Sequence, residues 1–168
     1  MNRQDSASKA QHSGDLTFQR VRDVYETAAC CREQLRDKLR EIRCSREPAP
    51  EMTVLELLEE DERQTAAGLR RALEESEPEI LETWLQYVPD EETRRTLTEL
   101  NLSAEMPVED IVGRKQRFDQ ALAAMYRQLA REVSAERVVD IFNGLADEVD
   151  SRAARASWST RGSEESIP

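Results

Sequence analysis

Apolar residues in this 168-residue chain recur at steps of three and four over long stretches, and that spacing leaves few folds open. An α-helix turns once every 3.6 residues, so this spacing lines one face of a helix. From Thr17 to Arg43 the recurring set is Val21, Val24, Ala28, Cys31, Leu35, Leu39 and Ile42. Pro48 and Pro50 end that helix. A second helix is predicted from Thr53, where Thr53 and Glu56 have the spacing of a capping box. Its inner line reads Leu55, Leu58, Glu62, Thr65, Leu69 and Ala72. A third runs from Val108 to Glu132, with Phe118, Leu122, Met125, Tyr126 and Leu129 on its apolar side. A fourth, capped by Ser134, runs to about Ser157 along Val138, Phe142, Leu145, Val149, Arg152 and Ala156. Glycine is scarce, five in all, and no convincing β-alternation appears.

Residues 76–107 have a different texture. Ser76 and Glu79 have the spacing of another capping box, with Pro78 in the first turn. Ile80, Leu81, Trp84, Leu85 and Tyr87 predict a short amphipathic helix that Pro89 stops, and Asp90 to Leu100 predict another. The link between the third and fourth long helices is short enough to force an antiparallel hairpin. The layout is hairpin, long crossover, hairpin. It predicts an all-α four-helix bundle whose long crossover contains two short helices. An up-down bundle with an inserted arm is the alternative. Residues 1–16 and 158–168 lack periodicity and read as disordered tails around one domain, 17–157.

The net charge of -11 is unevenly placed. Residues 51–110 carry five basic and eighteen acidic side chains, a local balance of -13, while the flanking segments are near neutral. That acidity excludes a generic nucleic-acid binder, which needs a basic surface, and disfavours docking on anionic lipid. No run of 18 apolar residues is present, so no membrane span is expected. The N-terminus has no signal-peptide core, and the expected compartment is the cytoplasm. There the three cysteines, Cys30, Cys31 and Cys44, stay reduced. Cys30 and Cys31 are read as ordinary apolar positions, with a redox role as the alternative. The single histidine, His12, lies in the N-terminal tail, which removes a Ser/His/Asp arrangement from consideration.

Two stretches resemble a known family. Met125-Tyr126 followed by Leu129-Ala130, then Ile141-Phe142 followed by Leu145-Ala146, is similar to the second hairpin of rubrerythrin-like members of the ferritin-like superfamily. The two halves of the chain also match weakly. Leu55, Leu58, Glu62 and Thr65 align with Phe142, Leu145, Val149 and Arg152. The resemblance covers about residues 17–157. It implies a bundle built to hold two metal ions, with a Glu from each of two helices and Glu-x-x-His from each of the others.

The ligand positions that the resemblance implies have mostly changed. The first Glu-x-x-His reads Glu62-x-x-Thr65. The second reads Val149-x-x-Arg152, or Glu148-x-x-Ser151 one residue earlier. Asp119 is the one inward acid expected on the third long helix. No cofactor is expected; the alternative, iron or manganese, would need Glu62 and Asp119 to converge with some of Glu148, Asp61 or Asp150. A buried carboxylate is costly unless paired. Arg152 is therefore expected to pair with Glu62, and with Asp119, inside a network that includes Thr65. The competing expectation is that these side chains reach solvent along their apolar stems.

The expected function is that of a non-catalytic bundle, an adaptor or self-associating module that forms a homodimer or binds a basic protein. Trp84 and Tyr87 are expected to cover the bundle's open side; the alternative is that they anchor a partner surface with Glu79, Glu82, Asp90, Glu91 and Glu92, since aromatic residues are enriched at binding hot spots. The alternatives are an iron- or manganese-binding oxidoreductase or iron-handling protein with an atypical carboxylate site, and a bundle whose vacated cavity, lined by Cys31, Thr65 and Met125, takes a small molecule.

Overall fold

The computed structural model describes residues 18–162, with side chains over 20–156. The described chain is mostly helical. Its elements are β1 (Phe18–Arg20), α1 (Val21–Cys44), α2 (Met52–Glu75), α3 (Pro78–Leu81), β2 (Trp84–Tyr87), α4 (Glu91–Thr98), α5 (Val108–Glu132) and α6 (Glu136–Gly162). No described helix is long and apolar enough to cross a membrane.

The three-four stripe of α1 is buried at every expected position, from Val21 through Ile42. Tyr25, Ala29 and Arg32 widen the buried face. At the start of α1 the Arg20 amide donates to the Asp23 carboxylate at 2.9 Å, and at its end the Ser45 hydroxyl donates to the Ile42 carbonyl at 2.7 Å. Helix α2 lies along α1. Arg43 Nε reaches Glu59 at 2.8 Å near one end of the pair, and Arg70 reaches Glu33 at 3.0 Å towards the other. These contacts make the two helices antiparallel. Helix α5 has the predicted bounds, and its Phe118, Leu122, Met125, Tyr126 and Leu129 are all buried. Helix α6 packs on α5 through Val138, Phe142, Ala146 and Val149, in one apolar core shared by the helices.

Several local expectations fail. The predicted Thr53–Glu56 capping box does not form. Helix α2 begins at Met52 with Glu51 at its N-cap, so Thr53 already lies within the first turn. Ser76 closes α2 by donating to the Ala72 carbonyl and does not open α3, whose first residue is Pro78. Helix α6 begins at Glu136, one position too late for Ser134 to cap it. It also continues to Gly162, so residues 158–162 are helical and not tail. The remaining predicted tail residues lie outside the described ones.

The largest correction concerns residues 82–87. A helix was expected through Tyr87, but α3 stops at Leu81 and Trp84–Tyr87 form a strand. Leu85 and Tyr87 are buried while Trp84 and Gln86 are exposed, which is the period of two that a strand on a core surface needs. The partner strand comes from residues 18–20, which the apolar pattern had assigned to the first helix. The two run antiparallel, pairing Phe18 with Tyr87 and Arg20 with Trp84 across an irregular register. The Val21 amide donates to the Thr83 carbonyl at 3.1 Å and continues the contact into α1. The ribbon fixes the start of α1 to the segment that joins α2 to α5.

Candidate functional site

Glu62 points into the core from the middle of α2 and has no exposed surface. A bare carboxylate there would be very costly, so the groups around it decide whether the helices can pack. Arg32, from α1, answers it. Its Nη1 donates to both Glu62 oxygens, at 3.0 and 3.1 Å, and to Asp119 Oδ1 of α5 at 2.6 Å. Lys115, one turn before Asp119 on α5, places its Nζ 3.0 Å from Glu62 Oε1 and 2.9 Å from Asp119 Oδ2. Two cations and two carboxylates thus meet at the junction of α1, α2 and α5. The Arg32 guanidinium also lies 5.1 Å from the centre of the Phe118 ring, a cation–π contact that partly replaces lost hydration.

A rim surrounds this centre. Lys115 Nζ also reaches Asp61 Oδ2 at 3.2 Å. Arg152 of α6 donates through Nη1 to Asp61 Oδ1 at 2.9 Å and through Nε to Glu148 at 3.2 Å. The charges form a chain from the core to the surface, with Asp61 as the link between the buried cluster and α6.

Burial and pairing pull the titrations in opposite directions. Burial favours neutral Arg32 and Lys115, but Glu62 and Asp119 outweigh it and hold both cations charged well beyond their ordinary range. For Glu62 burial is the larger influence and raises its pKa despite Arg32 and Lys115. Asp61 is nearer to water. Burial raises its pKa, but Lys115 and Arg152 together bring it below its ordinary value. The buried Cys31 thiol is pushed up to about 11 by burial and by Cys30, so it stays a thiol at neutral pH. That environment does not activate it as a redox group.

The structure therefore assigns partners differently from the sequence. Arg152 does not pair with Glu62 or Asp119; Arg32 and Lys115 occupy those carboxylates, and Arg152 turns outward to Asp61 and Glu148. Thr65 is outside the network, its hydroxyl donating to the Asp61 carbonyl at 2.8 Å. Glu148 stands at the surface beside Arg152, away from Glu62. Arg32 and Lys115 are the residues that the sequence reading missed. One signal was available: Lys115 and Asp119 are four apart, on the same face as Phe118 and Leu122.

The proposed partner surface also divides. Trp84 is 66% exposed and Arg20 lies 4.8 Å from its ring centre, but Tyr87 is only 4% exposed and belongs to the core. Glu82 is held by Arg20 and Arg22. Asp90 caps α4 by accepting from the Thr93 amide at 2.7 Å, and Glu91 pairs with Arg94. Glu79 and Glu92 are exposed.

A cavity of about 120 Å³ adjoins the network. Arg32, Thr65, Gly68, Leu69, Ala72, Tyr126, Leu145, Glu148, Val149 and Arg152 line it. Of the expected lining residues only Thr65 is among them; Cys31 and Met125 pack elsewhere in the core. The described residues contain no group of three or more His, Cys, Asp or Glu side chains placed to hold a metal ion. Comparison with protein-family models, with curated proteins and with solved structures finds no match.

Two results follow. Replacing Arg32 by Met leaves two buried carboxylates with Lys115 as their one cation and is expected to lower unfolding free energy by about 3–5 kcal/mol, whereas Arg152→Met removes partly solvated pairs and costs about 1 kcal/mol or less. Denaturant melts of both variants check the ranking. The Asp61 pKa is depressed on folding, so its contribution is present above the ordinary value of 3.8 and lost as pH falls through the folded value. The stability difference between wild type and Asp61→Asn should be constant near neutrality and close in acid, as chemical denaturation at a series of pH values would show.

Proposed function

We propose that this chain is a ferritin-like four-helix bundle in which its own cations stand where that superfamily holds metal ions, and that it works by binding other proteins. Three sets of contacts support the connectivity. The α1–α2 ion pairs make those helices antiparallel. Arg32 meets Asp119, and Arg46 donates to the Met106 carbonyl just before α5, so α5 also runs against α1. Asp61 meets Arg152, and Ala72 shares a cavity wall with Leu145, so α6 runs against α2. Helices α2 and α5 then point the same way, and the chain from 76 to 107 must travel the bundle's length, as in a ferritin-like crossover.

The observation that carries the functional reading is the position of Arg32 Nη1 and Lys115 Nζ between Glu62 and Asp119. A di-metal centre needs carboxylate and imidazole lone pairs free to converge on the ions. Here the carboxylate oxygens already accept from cations, and Glu148 is turned away. The residues present do not fit the metal pair. What remains available to partners is the surface. On β2 and just beyond it, Trp84, Gln86 and Val88 project on the exposed side, with Val88 75% exposed. Glu79 and Glu92 lie nearby in sequence. An exposed aromatic anchor on a segment that also exposes Glu79 and Glu92 suits a basic protein surface.

The test is equilibrium dialysis of the full chain against iron(II) and manganese(II), with melting followed in parallel. The reading predicts no stoichiometric uptake and no rise in melting temperature with metal concentration, because binding to the folded state alone would raise it. Stoichiometric uptake that Glu62→Gln abolishes would instead establish the metal-binding alternative.

A further inference from the structure

Tyr126 of α5 is only 2% exposed and stands in the wall of the cavity that α2 and α6 share. Among the described residues its hydroxyl has no hydrogen-bond partner. The buried side-chain atoms that lack both a partner and accessible surface are the Nε atoms of Arg32 and Arg46. The Tyr126 hydroxyl is not one of them, so it keeps accessible surface, and the space beside it is the cavity. A buried hydroxyl with no partner carries its desolvation cost, and such groups normally find water or a ligand. Burial raises the Tyr126 pKa, and Arg32 and Glu148 act on it with opposite signs. The hydroxyl therefore keeps its proton at neutral pH and can donate it to a guest.

Leu69 and Ala72 from α2 and Leu145 and Val149 from α6 make the rest of the wall largely apolar. Gly68 adds no side chain, and a Cβ built on it meets nothing within 4 Å, so α6 does not close on α2 there. The space of about 120 Å³ matches a molecule of roughly five or six non-hydrogen atoms. The charged groups of the lining are already matched. Arg32 is held by Glu62 and Asp119, and its Nε has no surface facing the cavity. Arg152 lies between Asp61 at 2.9 Å and Glu148 at 3.2 Å, and the exposed Glu148 carboxylate stands on the solvent side. A carboxylate guest would meet Glu148, and an ammonium guest would meet Arg32 and Arg152. Neither gains an unpaired counter-charge, and each loses hydration in an apolar slot, so an uncharged guest is favoured.

We propose that this cavity binds a small neutral alcohol, its oxygen accepting from the Tyr126 hydroxyl and its short aliphatic body lying against Leu69, Ala72, Leu145 and Val149. Thr65 lies in the same wall; its hydroxyl proton goes to the Asp61 carbonyl, which leaves its oxygen as an acceptor for the guest's own proton. The site stands on the cavity and the unpaired hydroxyl, and on neither the ferritin-like reading nor the partner surface. Its guest lies beside the buried charges without displacing them. A mostly apolar wall with one or two polar groups that fix orientation is the usual make-up of a small-molecule pocket.

The probe is isobutanol, titrated into the full chain and followed by amide shifts in NMR spectra. Isobutyrate and isobutylammonium are the comparisons, since they have nearly the same shape and carry opposite charges. Isobutanol shifts should saturate with a Kd of about 10 mM or tighter, a weak affinity suited to so few atoms. They should centre on Thr65–Ala72 and Leu145–Arg152. Both ions should bind at least about tenfold less tightly, because each must give up its hydration. The decisive variant is Tyr126→Phe, which keeps the ring and removes only the hydroxyl. It should melt at the wild-type temperature or higher, because no hydrogen bond is lost, and bind isobutanol about fivefold less tightly. The proposal is overturned if isobutanol does not saturate or shifts residues away from these two stretches, or if either ion binds as well as the alcohol. It is equally overturned if Tyr126→Phe melts below wild type or binds isobutanol like wild type.

Discussion

The packing of this protein turns on a single cost, that of placing Glu62 in the core. A carboxylate with no exposed surface cannot be left alone, and Arg32 and Lys115 arrive from two other helices to meet it. Each cation in turn needs Asp119. The four side chains come from α1, α2 and α5, so the cluster forms only when all three helices are in register. Apolar contacts tolerate sliding by a fraction of a turn; a guanidinium shared by two carboxylates at 2.6 to 3.1 Å tolerates little. Buried ion networks of this sort are weak sources of stability, but removing a single partner from one is costly. In this chain the apolar stripes supply the drive to collapse, and the charged cluster closes only in the register that brings α1, α2 and α5 together.

The same cluster gives meaning to the uneven charge. The excess acidity belongs to residues 51–110, but part of it faces inward or is neutralised locally. Asp61 and Glu62 are engaged by Lys115, Arg32 and Arg152. Glu59 is held by Arg40 and Arg43, and Glu82 by Arg20 and Arg22. The charge still open to solvent is therefore smaller than the balance suggests. Some of it lies on the segment between α2 and α5, where Glu79 and Glu92 are exposed. The ribbon of β1 and β2 holds part of that segment against the start of α1 and leaves Trp84 outside.

What was legible in the sequence was what is local. The stripe of α1 and the bounds of α5 follow from spacing within one turn or a few. The ribbon was not legible, because Trp84–Tyr87 become a strand only by pairing with residues more than sixty positions earlier. Thr53, Ser76 and Ser134 each had the chemistry of a cap, but the preceding chain set where each helix starts. Glu62 and Asp119 were visible as inward acids. Their partners were not, since Arg32 and Lys115 are long cations that by default lie along the surface with their heads in water. Only the presence of a carboxylate on a neighbouring helix keeps those heads inside, and that neighbour is a tertiary fact.

The most direct measurement compares Glu62→Leu with a variant in which Glu62, Asp119, Arg32 and Lys115 are all replaced by leucine or methionine. If the four charges act as one unit, the single change leaves a buried cation short of a partner and should lower unfolding free energy by about 3–5 kcal/mol, while the joint change should recover most or all of that loss. A Glu62→Leu protein as stable as wild type in the same denaturant melt would contradict the account, because the carboxylate at its centre would then have organised nothing.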